Sequence, residues 1–259
     1  MTNDICSFII CAFVIYSFDI AKDIMRLITN DKLIARQSKI ARYATFGALA
    51  ILLGSLVTSF NTAYIVLAYG TLFVGMALAY VGSSLGYKWV KEPRADQALA
   101  KALKGFDNKH HLYNFLLPVA HVLVTPTGVL VFFVKQHDGK ISLANGRWMR
   151  AWAWGRLFGG MGQGALGNPL AELDAEIEKL KKFLAEKLPN APMIPVNGYV
   201  VFSDPRAELS LDDSSAPVVL VDDLKETLRK TKHGAMLAPK IVDDLVRAFD
   251  ETADAKTAK

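Results

Sequence analysis

Lys135 has a setting that suits chemistry. It closes Gly128–Val134 (GVLVFFV), an unbroken apolar run rich in β-branched and aromatic residues, as expected of a strand buried on both faces. A sheet holds such a lysine in place while its ammonium reaches a cleft. Gln136-His137-Asp138-Gly139 follows, so Asp138 lies close by, although Asp-Gly is also ordinary turn chemistry. A second set lies on Arg147–Trp154. Trp148, Arg150, Trp152 and Trp154 share one strand face, with Arg147 and Arg156 at the ends. Aromatics interleaved with arginine can stack on bases and bind phosphate. The same residues also suit a lipid headgroup surface or cover by helices. Lys135, Arg147, Trp148 and Arg150 are therefore the candidate nucleic-acid contacts.

Other motifs carry less. Gly162-Gln163-Gly164-Ala165-Leu166-Gly167 satisfies G-x-G-x-x-G. A dinucleotide fingerprint starts its helix within the glycines, whereas Asn168-Pro169 starts the helix here after the last one. No Gly-Lys-Ser/Thr is present, so a P-loop is excluded. His110 and His111 have no partner at metal-ligand spacing and are expected to be surface residues. The two cysteines, Cys6 and Cys11, both lie in an N-terminal apolar run and form neither a disulfide framework nor a zinc pattern.

The elements that position these residues begin with a charge-free stretch. No charged side chain occurs between Arg42 and Lys88, and Asn61-Thr62 divides the run into Tyr43–Phe60 and Ala63–Gly86. Each is long enough to cross a bilayer, and neither shows the polar face of a soluble amphipathic helix. Gly82-x-x-x-Gly86, Gly75-x-x-x-Ala79, Gly47 and Gly54 would let backbones approach, within the hairpin or in a homo-oligomer. Lys32, Arg36, Lys39 and Arg42 precede the hairpin; Lys88, Lys91 and Arg94 follow it. That asymmetry predicts both ends in the cytoplasm, in the cell (plasma) membrane. Ile5–Phe18 is apolar but shorter than a span, so the extension at residues 1–24 reads as a short extra membrane segment, an interfacial helix or sequence upstream of a start at Met25.

After a linker at Glu92-Pro93-Arg94, the pattern predicts a helix at Asp96–Lys104 and a strand at Leu112–Leu117. Two strands then meet at the Thr125-Pro126-Thr127-Gly128 turn. A hairpin follows around Ala144-Asn145-Gly146, and a helix runs from Asn168-Pro169 to about Leu188. Strands at Tyr199–Ser203 and Val218–Val221 and helices at Asp222–Lys230 and Pro239–Thr252 complete the pattern, with Ala253–Lys259 as a disordered tail. The expected fold is α+β, an α/β/α-like core with a mixed sheet, preceded by a transmembrane hairpin. Its divisions are residues 1–24, 25–91, 92–232 and 233–259.

Gly128–Lys135 followed by Gly139-Lys140-Ile141 resembles the signature strand of the nuclease-related domain (NERD), within the PD-(D/E)XK-like superfamily. The resemblance runs over about Asp96–Lys230, through Asn168-Pro169 and Val200-Val201-Phe202-Ser203-Asp204-Pro205-Arg206. The preceding hairpin, and the Met25-Arg-Leu-Ile-Thr-Asn start, are similar to bacterial membrane-anchored members. The resemblance implies a restriction-endonuclease-like core and a lysine at Lys135. It also implies two metal-binding acids, but their positions hold Ala120 and Phe133. Glu172 stands where relatives often carry a Gln near the site.

Phosphodiester hydrolysis by that route needs two carboxylates on a divalent metal, which activates water and neutralises phosphate charge. The expectation is thus a membrane-anchored, catalytically degenerate domain that binds or scaffolds, without a cofactor. Its expected partners are the bilayer, DNA or RNA, and a second copy. An active Mg²⁺-dependent nuclease with Asp138 as displaced ligand is the alternative, and a purely structural membrane partner is another. A net charge of +5, a pI near 9.1 and a mean hydropathy of +0.24 are compatible with all three.

Overall fold

The computed structural model describes residues 24–151, 161–189, 191–212, 216–231 and 234–258. Ile5–Phe18, with Cys6 and Cys11, lies outside these residues, as do Trp152, Trp154 and Arg156.

Two helices, α1 (Asp31–Ser59) and α2 (Ile65–Trp89), form the hairpin, joined through a 3-10 turn at Thr62–Tyr64. Asn30 caps α1 by accepting a hydrogen bond from the Leu33 amide at 2.9 Å, so the basic segment Lys32–Arg42 belongs to the same helix as the apolar run. The buried residues recur every seventh position: Ile34, Ala41, Ala48 and Ser55 on α1, and Ala68, Gly75, Gly82 and Trp89 on α2. A seven-residue repeat keeps one seam facing the partner helix, and small side chains bring the backbones close. A Cβ on Gly82 would stand 2.9 Å from the Thr45 amide nitrogen, and one on Gly75 would stand 2.8 Å from the Leu52 side chain. The Ser55 hydroxyl donates to the Ala68 carbonyl at 2.7 Å across the seam. The outward residues, among them Tyr43, Phe46, Val66 and Phe73, are exposed and apolar. Both helices are long and apolar enough to cross a membrane.

The hairpin is inserted into a sheet. Arg26–Thr29, read from sequence as the start of the hairpin segment, forms strand β1, which pairs in parallel with β2 (His111–Asn114). Strand β3 (His121–Thr125) follows antiparallel, then β4 (Gly128–Lys135), and the parallel strands β7 (Val196–Phe202) and β9 (Val218–Leu220) complete a six-stranded mixed sheet. A second sheet of three strands carries β5 (Gly139–Ala144) between β6 (Arg147–Arg150) and β8 (Ala207–Leu211). Asn145 and Gly146 both take positive φ, 50° and 70°, which is the two-residue turn such a hairpin needs.

Side-chain alternation divides the core into two layers. Tyr113, Val122, Val124, Val129 and Val131 face α4 (Pro169–Lys187) and α6 (Pro239–Thr257), which contribute Leu173, Leu180, Leu245 and Phe249. Leu112, Leu123, Leu130 and Phe132 face α3 (Ala95–Ala102) and α5 (Leu224–Lys230), which contribute Leu99, Leu224 and Leu228. The result is a mixed α/β fold with helices on both faces of a mixed sheet, consistent with the α+β expectation.

Two expectations are corrected. Ala253 is buried against the core and α6 continues to Thr257, so the disordered tail predicted from Ala253 is helix through that residue. Apolar content misled there: Ala253, Ala255 and Thr257 offer little hydrophobicity, but the helix is held by tertiary contacts, including the Lys256 ammonium on the Leu117 carbonyl at 2.8 Å. The strand predicted at Leu112–Leu117 ends at Asn114, because Phe115 takes a positive φ of 61° that breaks the extended chain.

Gly82→Val would drive the hairpin backbones apart at Thr45, whereas Gly54, with nothing within 4 Å of a Cβ, tolerates Ala. Thermal unfolding of detergent-solubilised protein should show a loss of about 1–3 kcal/mol for Gly82→Val and almost none for Gly54→Ala.

Candidate functional site

The sheet places Lys135 at the carboxyl end of β4, beside β7, with the Ser203 amide donating to its carbonyl at 3.0 Å. Its ammonium turns back over the Phe133 ring, 4.9 Å from the centroid. Both Glu172 oxygens lie within bonding distance of that ammonium, at 3.0 and 2.9 Å. Glu172 stands in the first turn of α4, which Asn168 caps by accepting from the Ala171 amide. Gly167 (φ 67°) permits that position, since a Cβ there would stand 2.5 Å from the Glu172 carboxylate. The ammonium is largely buried, at 12% exposure, while Glu172 is 43% exposed. This charge-assisted, bidentate pair neutralises the one cation that the strand presents.

Ala120 and Phe133 are brought to the same place. Val122 pairs with Val131, and two further steps of that register set Ala120 opposite Phe133. Both line a cavity of about 390 Å³ together with Lys135. The end of α2 closes one side of it through Ser84, Tyr87 and Lys88, and Gly162–Ala165 closes another. Gly162 packs there without room for a side chain, a Cβ standing 2.7 Å from the Ser83 carbonyl. The glycine-rich segment thus serves close packing on α2, and its helix starts only at Pro169.

Asp138 is held elsewhere, between the Arg150 guanidinium and Arg206 at 3.0 Å. Arg150 also donates to the Asp138 carbonyl at 2.9 Å and to Gln163. Trp148 packs partly buried on the core, 6.3 Å from the Phe202 ring, and Arg147 is exposed. Lys135 and Arg150 therefore each meet a carboxylate. The positions that the family resemblance assigns to metal ligands present an alanine methyl and an aromatic ring, neither of which donates to a cation. Among the described residues no three His, Cys, Asp or Glu side chains form a group able to hold a metal ion. Among the described residues, Ala120, Phe133 and the paired Lys135 and Glu172 present no set of carboxylates for a divalent cation.

Sequence reasoning missed a polar network beside the cavity. The Tyr87 hydroxyl donates to the Gln136 carbonyl at 2.7 Å, and the Lys91 ammonium donates to Tyr87 at 2.7 Å and to Asp204 at 3.3 Å. Gln163 donates to Tyr87 at 2.6 Å, and Arg206 pairs with Asp204 at 3.2 Å. These residues are far apart in the chain; only Asp204 and Arg206, inside the family-like Ser203–Arg206 run, gave any signal. Burial pushes the Asp204 carboxyl up, but hydrogen bonds from Arg206 and Lys91 outweigh it and hold the group below its ordinary value. Burial lowers His121 and His137 to about 4. His121 bonds Asn114 at 2.8 Å, whereas among the described residues neither ring nitrogen of His137 has a hydrogen-bond partner. His111 is half-buried and His110 pairs with Asp107, so neither marks a metal site.

These features define a class: a mixed α/β domain with a lysine-tipped central strand facing a cleft, mounted on an apolar helical hairpin. Residues 89–203 match the family model of the nuclease-related domain, NERD, and form a nuclease-related domain. The match spans the end of α2 through β7, the strands that build the cleft. No curated protein and no solved structure matches the chain.

The neutral histidines set a pH window. Between their folded values near 4 and the ordinary 6.5, the unfolded chain binds protons that the folded one does not. Stability is therefore full above about pH 6.5 and falls as pH drops toward 4. Melting temperatures measured from pH 7 to pH 4.5 should decline, and His137→Asn should flatten part of that slope. Asp204, with its lowered carboxyl, loses its contribution only at more acid pH, below its ordinary 3.8.

Proposed function

We propose that the chain is a membrane-anchored protein whose nuclease-related domain does not cut phosphodiester bonds and instead binds or scaffolds at the cytoplasmic face of the plasma membrane. The observation that carries the non-catalytic half is the Lys135–Glu172 pair in a cleft walled by Ala120 and Phe133. A metal-assisted hydrolase needs carboxylates free to hold the cation and a lysine free to act near water. Here an aromatic ring and a methyl stand in place of the acids, and Glu172 occupies the lysine.

Anchoring is supported by two helices of spanning length with exposed apolar faces. The pairing of β1, before the hairpin, with β2, after it, requires both ends on one membrane side. Basic residues at those ends favour the cytoplasm. DNA or RNA is the soluble partner proposed for the domain. Arg147 is exposed for such contact, while Lys135 and Arg150 have to exchange carboxylates for phosphates.

Reporter fusions after Leu117 should read cytoplasmic, and a tag at Asn61 should read external; the opposite pattern sinks the orientation. Purified full-length protein with Mg²⁺ or Mn²⁺ should leave DNA and RNA uncut. Metal-dependent cleavage abolished by Asp138→Ala would replace this reading with a displaced-ligand nuclease. Any nucleic-acid affinity should weaken with salt and fall further on Arg147→Ala.

A further inference from the structure

The cavity beside Lys135 is larger than an ion pair needs. Ser84, Tyr87 and Lys88 from the last turns of α2 form one wall, and Phe115, Phe132 and Phe133 form another. Lys88 is the first charged residue after the apolar run, so this wall lies where the headgroups of a bilayer begin. That placement rests on the membrane anchoring proposed above.

His137 lines the same cavity, 4% exposed, and among the described residues neither of its ring nitrogens has a hydrogen-bond partner. The backbone of Gly164 and Ala165 lies near enough to favour a protonated ring without supplying hydrogen-bond geometry. A neutral imidazole offers one donor and one acceptor, and buried groups of this kind ordinarily find partners. Arg150 and Lys135 are the cations near His137; Arg150 is held by Asp138, while the Glu172 carboxylate on Lys135 already occupies the place of an anion. Glu172 is the more exposed member of that pair and can turn to solvent, whereas Lys135 is fixed by β4. Glu176 is the acid that lines the cavity itself and lies 3.7 Å from Lys179, whereas Glu172 meets the cavity through Lys135.

We infer that this cavity binds a phosphate group, which replaces Glu172 on Lys135 and accepts a hydrogen bond from His137, with Lys88 at the rim. A tetrahedral phosphate has acceptors for both cations and for the imidazole N–H, and its monoprotonated form also donates to the other ring nitrogen. The group can come from an anionic lipid headgroup, whose glycerol and acyl carbons then meet the phenylalanine wall, or from soluble phosphate.

The full chain in an uncharged detergent is titrated with dioctanoyl phosphatidic acid, dioctanoyl phosphatidylcholine and inorganic phosphate, read by calorimetry and thermal unfolding. Phosphatidic acid should bind saturably, one per chain, and at least tenfold more tightly than phosphatidylcholine. Lys88→Ala and Lys135→Ala should weaken binding about tenfold, and Glu172→Gln should tighten it severalfold by removing the competing carboxylate. Binding of phosphatidic acid but not phosphate identifies a lipid headgroup; equal binding of both identifies a soluble source. No saturable binding of either, or binding unchanged by both Lys88→Ala and Glu172→Gln, overturns the inference. Because Lys88 is exposed and the Glu172 side chain is 43% exposed, those two variants keep the test decisive even if Lys135→Ala does not fold. Release of the protein from membranes by alkaline carbonate would instead remove the anchoring reading; a membrane-integral chain that binds neither probe fails only this inference.

Discussion

Four residue pairings between Arg26–Thr29 and His111–Asn114 fix where the helical hairpin is mounted on the sheet. They join chain from before the hairpin to chain from after it. The hairpin therefore leaves the sheet at the start of α1 and returns to it at the end of α2, anchored at both legs. Asn30 reinforces the junction: its amide donates to the Asn114 carbonyl at 3.1 Å while its side chain caps α1. At the other leg, Ser38 on α1 donates to the Trp89 carbonyl at 2.9 Å, and the Trp89 ring meets Phe115 at 4.9 Å. The end of α2 is thereby held over the carboxyl edge of β4, which is why Tyr87 and Lys88 become part of the cleft.

Electrostatics in the cleft follow from that mounting. Lys135, Arg150, Lys91 and Arg206 gather around the carboxyl ends of β4 and β7, and each meets a carboxylate from Glu172, Asp138 or Asp204. Asp204 is 4% exposed, whereas Lys91 and Arg206 remain 41% and 67% exposed. Such half-solvated pairs contribute modestly, on the order of 1 kcal/mol each, and their greater effect is to fix geometry. The Tyr87 hydroxyl, bonded to Gln136, Lys91 and Gln163, converts these local pairs into a bridge between α2 and the domain.

Local patterning made most of the fold legible. The charge-free run between Arg42 and Lys88, the Asn145-Gly146 turn and the Asn168-Pro169 helix start all act within a few residues, and the structure has them where the sequence places them. Strand β1 was hidden because Arg-Leu-Ile-Thr is too short to show alternation and only its partner β2, beyond the hairpin, makes it a strand. Strand β8 was hidden for the same reason, its burial depending on pairing with β5. At the site, Lys135, Ala120 and Phe133 were legible as a set through the resemblance to the NERD signature strand, and the register of β3 and β4 relates Ala120 to Phe133. Tyr87, Lys91, Gln163 and Asp204 were not, since no spacing in the chain connects residues that meet only through the docking of α2.

The Lys135–Glu172 pair also explains how a lysine persists in a cleft whose flanking positions are apolar. A largely buried ammonium beside Ala120 and Phe133 would be poorly solvated, and an aromatic face 4.9 Å away offsets only part of that cost. Glu172 supplies the missing negative charge from another element, α4, and Gly167 leaves space for it by lacking a side chain. The arrangement needs no metal for charge balance. It also leaves the exposed partner, rather than the lysine, free to exchange, so the cleft keeps a fixed cation with a replaceable counter-ion. That asymmetry follows from the sheet holding one member while a helix terminus offers the other.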